Sequence, residues 1–382
     1  MLKAHKHTFL TFLIGAAPLY AHANPEVSLI LDGYHKSQDT ELGQRSEGFG
    51  LSHSELALKH SWNNLWTAKA SITADLREGE AELALEEAYL ERLAIFEGAS
   101  LKAGRFLADI GYLNSQHSHA DSFTERPLAY RAFLGNHYYD NGVGLSMLMP
   151  TDLFWRISIN AFQGERLADT DSNKLVGIWA LSNKIGGDLS ASTSWQAGIS
   201  YMRNNTLDFH EHDDEQDDDH HSGHDDDHGD HEEDHHGHSH SAEFVGKNTY
   251  IADLVWKWAP QGNNRHQQLT LSGEYFRVTD LNQYSTDDDY HSGYYLSGVY
   301  RFLPEWSIGA RYGEINVQEA HGDHFHGAKL NESSVMLAWN PTHTQTLRLQ
   351  YTHQSGDEFE HTDNAITLQY QIGFGDHEAH TF

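Results

Sequence analysis

The sequence contains no cysteine. Neither disulfides nor thiolate metal sites can hold it together, and zinc fingers and thiol catalysis are excluded. Proline is scarce, with 7 residues in 382. Basic residues are few: 25 Lys and Arg stand against 56 Asp and Glu, for a formal net charge of −31. A nucleic acid is excluded as a partner, because binding one needs basic patches; the acidity favours cations. Long apolar runs are also missing. Beyond the first residues no stretch of eighteen is apolar, so no transmembrane helix is expected. No G-x-S-x-G elbow occurs either, and nothing points to an enzyme.

The one short apolar run lies at the start. In MLKAHKHTFLTFLIGAAPLYAHANPE, Lys3 and Lys6 precede an apolar stretch from Phe9 to Leu19, and Ala21-His22-Ala23 fits an A-x-A cleavage pattern. Residues 1–23 read as a secretory signal peptide, since the run is too short to span a bilayer.

Aromatics are plentiful: 9 Trp, 18 Tyr and 17 Phe, with 32 Gly. They fall in a period of two. From Trp66 to Leu76 every even position is apolar and every odd one polar; Tyr250–Trp258, Thr346–Thr352 and Ala365–Phe374 alternate in the same way. Period two over about ten residues marks a strand with one apolar face, long enough to cross a bilayer at a tilt. The chain divides into sixteen such segments, near 26–36, 49–60, 66–77, 81–93, 99–106, 141–149, 153–163, 174–184, 190–202, 248–259, 266–279, 290–302, 306–318, 331–340, 345–354 and 363–374. Connections at one end are tight, as at Asn63-Asn64, Gly186-Gly187-Asp188 and Pro304-Glu305; at the other end they are mostly long, as at 37–48, 107–140, 203–247, 280–289, 319–330 and 355–362. Trp62, Trp66, Trp155, Trp256, Trp258, Trp306 and Trp339 lie beside the short turns, as an aromatic girdle would. The expected fold is all-β over 24–382: a transmembrane antiparallel up-and-down β-barrel of about 16 strands, with short periplasmic turns and long extracellular loops. Outer-membrane lipid would surround it. Lys69, Asp75, Arg156, Asp253, Lys257, Glu274, Arg301, Arg311 and Arg348 occupy its inward-facing polar positions.

The strand LKAGRF (Leu101–Phe106) running into a long loop resembles the phosphate-selective porin O/P-type superfamily. The stretch from Gly111 to Pro150 and the ending FGDHEAHTF (Phe374–Phe382) more closely resemble the zinc-associated porin-like outer-membrane proteins of Gram-negative bacteria. That resemblance covers most of the mature chain and implies an outer-membrane location and a part in zinc acquisition. It also implies that a terminal aromatic, Phe382 or Phe374, is read by the outer-membrane assembly machinery. The acidic loops depart from the phosphate-selective pattern and point away from phosphate.

The densest chemistry lies between strands nine and ten. His210 to Ser241 reads HEHDDEQDDDHHSGHDDDHGDHEEDHHGHSHS, with eleven histidines, fourteen carboxylates and no Lys or Arg. Such a run buries no core, and 208–243 is expected to be a disordered extracellular loop. Imidazole with carboxylate suits divalent metals such as Zn²⁺. His210, His212, His220, His221, His224, His228, His231, His235, His236, His238 and His240 are the candidate ligands there. A flexible run must order to bind, so it offers several modest sites. The theme recurs at His117, His119 and Asp121 in the loop 107–140, and at His321, His324 and His326 in the loop 319–330. If 107–140 folds into the barrel, His117, His119 and Asp121 sit at its constriction.

Three functions fit these observations. A porin-like channel would capture divalent metal, zinc first, and let it diffuse inward with no resident cofactor. A closed barrel would anchor a surface metal buffer. A general or anion-selective porin would carry the loop incidentally. An oligomer is compatible with each.

Overall fold

The structure is a computed structural model that describes residues 25–77, 80–167, 175–207, 242–322, 324–357 and 363–375. The expected signal peptide, the eleven histidines from His210 to His240, and Phe382 lie outside these residues.

Sixteen strands form from the described residues. They are β1 (Glu26–Lys36), β2 (Gly48–Trp62), β3 (Trp66–Arg77), β4 (Glu80–Phe96), β5 (Ala99–Leu107), β6 (Tyr139–Leu148), β7 (Phe154–Phe162) and β8 (Ile178–Ser190). Then follow β9 (Thr193–Asn204), β10 (Asn248–Trp258), β11 (Gln268–Thr279), β12 (His291–Leu303), β13 (Trp306–His321), β14 (His324–Thr342), β15 (Gln345–Asp357) and β16 (Asn364–Gly375). Each pairs antiparallel with its neighbours in the chain, and β1 closes on β16, so the sheet is a closed up-and-down barrel. Closure removes both open edges, the only way a sheet can stand in lipid.

The faces are inverted relative to a water-soluble protein. On β16, Ile366, Leu368 and Tyr370 point out and are exposed, while Thr367, Gln369 and Gln371 point in and are buried. An apolar exterior around a polar interior is the pattern of a transmembrane barrel. At the short-turn end Asn63 and Asn64 both adopt positive φ, and the Leu65 N–H donates to the Trp62 carbonyl at 3.3 Å, which makes a tight turn. Trp62 stacks with Trp66, and Trp306 with Trp339, as paired members of the expected girdle.

Two connections differ from the sequence reading. The expected loop 319–330 is strand: β13 runs to His321 and β14 begins at His324, with Glu319 opposite His326. Gly322, at φ +65°, makes the reversal. Polar residues on both faces look like a loop in sequence, but a hairpin can project beyond the apolar zone and be polar on both sides. The glycines at 186 and 187 likewise sit within β8, paired with Gln196 and Trp195, and the reversal comes at Ala191-Ser192.

The connection 108–138 turns into the lumen and carries the one α-helix among the described residues, α1 (Leu128–Leu134). All seven of its residues are buried. Leu128, Tyr130, Phe133 and Leu134 join Phe276, Tyr295, Ile315 and Leu330 of the opposite wall in an apolar core inside the barrel. Polar clamps supplement it. Glu274 accepts from the backbone N–H of Tyr112 at 2.8 Å and of Leu113 at 3.2 Å, and from the hydroxyls of Tyr130 and Tyr295 at 2.9 and 2.7 Å. Gly111 adopts φ +56°, and an added Cβ there would sit 2.4 Å from Glu274 Oε2, so glycine is favoured.

Candidate metal site in the lumen

Beyond the Glu274 clamp, two of the contacts between the infolded segment and the wall differ in chemistry. Toward β13–β16 and β1, the partners are guanidinium groups, the Lys36 ammonium and carboxylates. Glu332 of β14 binds Arg131 of α1 and lies 3.0 Å from Arg311 of β13. Glu125 pairs with Lys36 at 3.1 Å and Arg131 at 3.3 Å, and Arg45 with Asp32 at 2.9 Å. Asp121 belongs here: its carboxylate pairs with Arg126 at 2.6 Å, and its carbonyl accepts from Arg348 at 2.9 Å. It does not join the histidines two and four residues before it.

Toward β2–β4 the partners are imidazoles. His117 Nδ1 lies 3.2 Å from both Glu55 Oε2 and Glu86 Oε2, and His119 Nδ1 lies 3.2 Å from the same Glu55 oxygen. His137, from the far end of the infolded segment, puts Nε2 2.6 Å from Glu86 Oε1, and His53 puts Nε2 3.3 Å from that oxygen. Two groups with metal-ligating geometry result among the described residues: His53, Glu86 and His137; and Glu55, His117 and His119. Within each group the ligating atoms lie within 4.8 Å of one another. A cavity of ≈ 20 Å³ lined by Ser52, His53, Asp75 and His137 adjoins the first, room for one water-sized body.

Two irregularities in the barrel aim these side chains. Neighbouring residues of a regular strand point to opposite faces, yet Glu86 and Glu87 are both buried on the lumen side. On β4 the register skips: Ser71 faces Glu87 and Ile72 faces Leu85, which leaves Glu86 as the extra residue of a bulge. On β2 a second bulge places Ser52 and His53 opposite a single residue of β3, with His53 at φ +41°. The backbone N–H that this bulge frees at His53 donates to Asp75 at 3.0 Å.

The surroundings tune the ligands. His117 Nε2 lies 3.1 Å from Glu87, and Lys69 stands 2.8 Å from the same carboxylate. A carboxylate behind a ligating imidazole fixes its tautomer and raises its basicity. Burial opposes a charge on His117, but Glu55 and Glu87 overcome it and hold its pKa well above the ordinary imidazole value. Burial pushes His137 down to about 4 and lowers His119. At neutral pH His119 and His137 are therefore neutral and ready to ligate, while a metal at His117 must displace a proton.

Of the histidines singled out by sequence, His117 and His119 join this site. His324 and His326 are exposed on the projecting hairpin away from it. Another loop-proximal histidine, His291, is buried: it stacks on Phe133 and accepts from the backbone N–H of Gln318 at 3.0 Å. Sequence reading missed His53, Glu55, Glu86, Glu87 and His137. A signal for the wall residues exists. On β4 the outward apolar residues fall on odd positions at Leu83 and Leu85 and on an even one at Leu90; on β2 they switch from Phe49 and Leu51 to Leu56 and Leu58. Each change of parity marks a bulge; His53 and Glu86 sit at two of them, while the further change on β4 from Leu90 to Leu93, at the irregularity before Phe96, carries no candidate ligand.

No protein-family profile matches the chain. An uncharacterized protein of Aquifex aeolicus (strain VF5) is 25% identical over 387 aligned residues, covering 94% of this chain and 75% of that one. Among solved structures, a loop L8 deletion mutant of OmpT from Vibrio cholerae superposes with a TM-score of 0.56 at 9% identity, covering 92% and 99% of the two chains. The anion-selective porin from Comamonas acidovorans gives 0.56 at 10% identity with the same coverage, and OmpF of Salmonella typhi gives 0.57 at 13% identity, covering 92% and 97%. The chain thus has a porin-like fold.

Proposed function

We propose that this chain is an outer-membrane channel of a Gram-negative bacterium that takes up divalent metal, zinc first, by collecting it on His/Asp-rich extracellular segments and passing it through the lumen. One observation carries this reading: imidazoles from an infolded loop converge with wall carboxylates inside a barrel whose exterior is apolar. The residue types suit zinc, which takes nitrogen and oxygen ligands. The His-rich run 210–241 would raise the metal concentration at the mouth, and its acidic net charge would attract cations. Delivery to the membrane would follow from the signal peptide, and closure of the barrel from recognition of its last strand by the assembly machinery. Association into oligomers fits the same reading, because a trimer form is described for OmpT of Vibrio cholerae.

A second reading is a metal-binding surface anchor that does not conduct. It draws support from α1, which fills one side of the lumen with an apolar core. A general or anion-selective porin is the third, and the guanidinium-lined wall favours it.

Planar-bilayer conductance in KCl tests all three, with and without micromolar zinc, for the full chain and for a deletion of 208–243. A zinc-responsive current that weakens on deletion supports metal uptake. A current indifferent to zinc in both forms indicates a general porin. No current at all indicates the anchor.

A further inference from the structure

We infer that the lumen site holds two divalent ions at once, bridged by the carboxylate of Glu86. This rests on the metal-uptake reading above and adds to it the number of ions and the residue that joins them.

The geometry of Glu86 is the reason. Its two oxygens face different histidines: Oε1 meets His137 Nε2 at 2.6 Å and His53 Nε2 at 3.3 Å, while Oε2 meets His117 Nδ1 at 3.2 Å. A carboxylate with one oxygen committed to each of two ligand sets is a bridge; a mononuclear site would use one oxygen or chelate with both. Each set has its own imidazole pair, His53 with His137 and His117 with His119; Glu86 belongs to the first set and reaches the second through His117. Glu55 completes the second set.

A second observation, on the first set, points to an ion rather than to hydrogen bonds. Glu86 Oε1, His53 Nε2 and His137 Nε2 are all buried, and none makes an aligned hydrogen bond despite their close approach, whereas in the second set His117 and His119 reach Glu86 Oε2 and Glu55 at hydrogen-bond distance. Three polar atoms that converge on one another without donor–acceptor alignment cost free energy unless something else satisfies them. A cation coordinated by all three does so. The fold also sets aside an irregular residue for the task, since Glu86 is the extra residue of the β4 bulge, which lets Glu86 and Glu87 both face the lumen. Because His117, His119 and His137 lie on the infolded segment and His53, Glu55 and Glu86 on the wall, a filled site also fastens the constriction to the barrel.

The test measures metal retained by the full-length protein. The purified chain is loaded with zinc and dialysed against a chelator strong enough to strip flexible single-histidine sites. Retained zinc is compared between the unmodified chain and the variants His137→Ala, His119→Ala and Glu86→Gln, with heat-modifiable electrophoretic migration as the check on barrel folding. The expected result is a loss of one equivalent in each histidine variant and of more than one in Glu86→Gln. Cobalt in the unmodified chain supplies a readout that needs no variant: two carboxylate-bridged ions lie about 3.5–4 Å apart and are magnetically coupled. Loss of the same single equivalent in all three variants, or cobalt ions that are magnetically isolated, overturns the two-ion inference and leaves the uptake reading standing. Retained zinc indifferent to every variant overturns both.

Discussion

Two of the wall regions that grip the infolded segment use the same anions and different kinds of counter-charge. On the β13–β16 side Glu125 and Glu332 face Lys36, Arg131 and Arg311. On the β2–β4 side Glu55 and Glu86 face four histidines. A guanidinium is charged at every physiological pH and cannot leave. An imidazole can give up its proton and accept a metal through the same nitrogen. A buried carboxylate is thus locked where its partner's charge is permanent and available where that charge can be exchanged. The first wall holds the segment, and the second can respond to what arrives.

Substitutions that separate these roles can break the contrast. The largest effect is expected from Glu332→Ala, which leaves Arg131 and Arg311 buried without their shared carboxylate. Removing one partner of a buried pair costs about 3–5 kcal/mol. The urea midpoint of the barrel should fall while zinc retention is unchanged; an equal loss of zinc would show the two walls to be one unit.

Acid should act next. Burial penalises the charge on Glu125, but Lys36, Arg131 and Arg45 hold its pKa down at about 2. The folded value is depressed, so its contribution is fully present above the unfolded pKa of about 4.5 and is lost as pH falls from there toward 2, a loss of roughly 3 kcal/mol. A Glu125→Gln chain, less stable at neutral pH, should show a shallower slope across that window. An unchanged slope would assign the acid sensitivity to another group.

Zinc should stabilise only through the histidine wall. At a concentration of 100 Kd, one bound ion adds about 2.7 kcal/mol. Thermal unfolding should show that gain in the native chain, should lose part of it in Glu55→Gln, and should keep it in variants of the guanidinium wall. Glu87→Gln gives the smallest change, because Glu87 orients His117 rather than holding the ion. Zinc affinity should drop about 10–100-fold. A titration indistinguishable from the native one would make Glu87 only a partner for Lys69.

The strands were legible because alternation is enforced twice, by lipid outside and by polar groups inside. The sixteen segments read from parity match the sixteen observed, with most ends within a few residues. The hairpin at Gly322 was misread because the alternation fades where a strand leaves the apolar zone. Within the site, His117 and His119 were legible as a close pair in a long connection. Asp121 was grouped with them by proximity in sequence, but Arg126 claims it. His137 carried no local signal, since it reaches the site only after α1 has crossed the lumen and returned. His53, Glu55 and Glu86 were hidden among ordinary inward-facing polar residues, and only the parity changes in β2 and β4 set them apart.

The infolded segment also constrains the order in which the chain can assemble. Arg131 and Glu332 are 201 residues apart in sequence, and Tyr130 and Glu274 are 144 apart. The segment is made early, yet its partners on β11–β14 follow much later in the chain. Contacts that distant form slowly, because the intervening chain must be brought in first. Until then the apolar face of α1 lacks Phe276, Tyr295, Ile315 and Leu330. We expect the docking of α1 to be the final step of folding, a latch drawn after the wall has closed. Pulse-labelled hydrogen exchange can test this: protection of Leu128–Leu134 before β14 would contradict it.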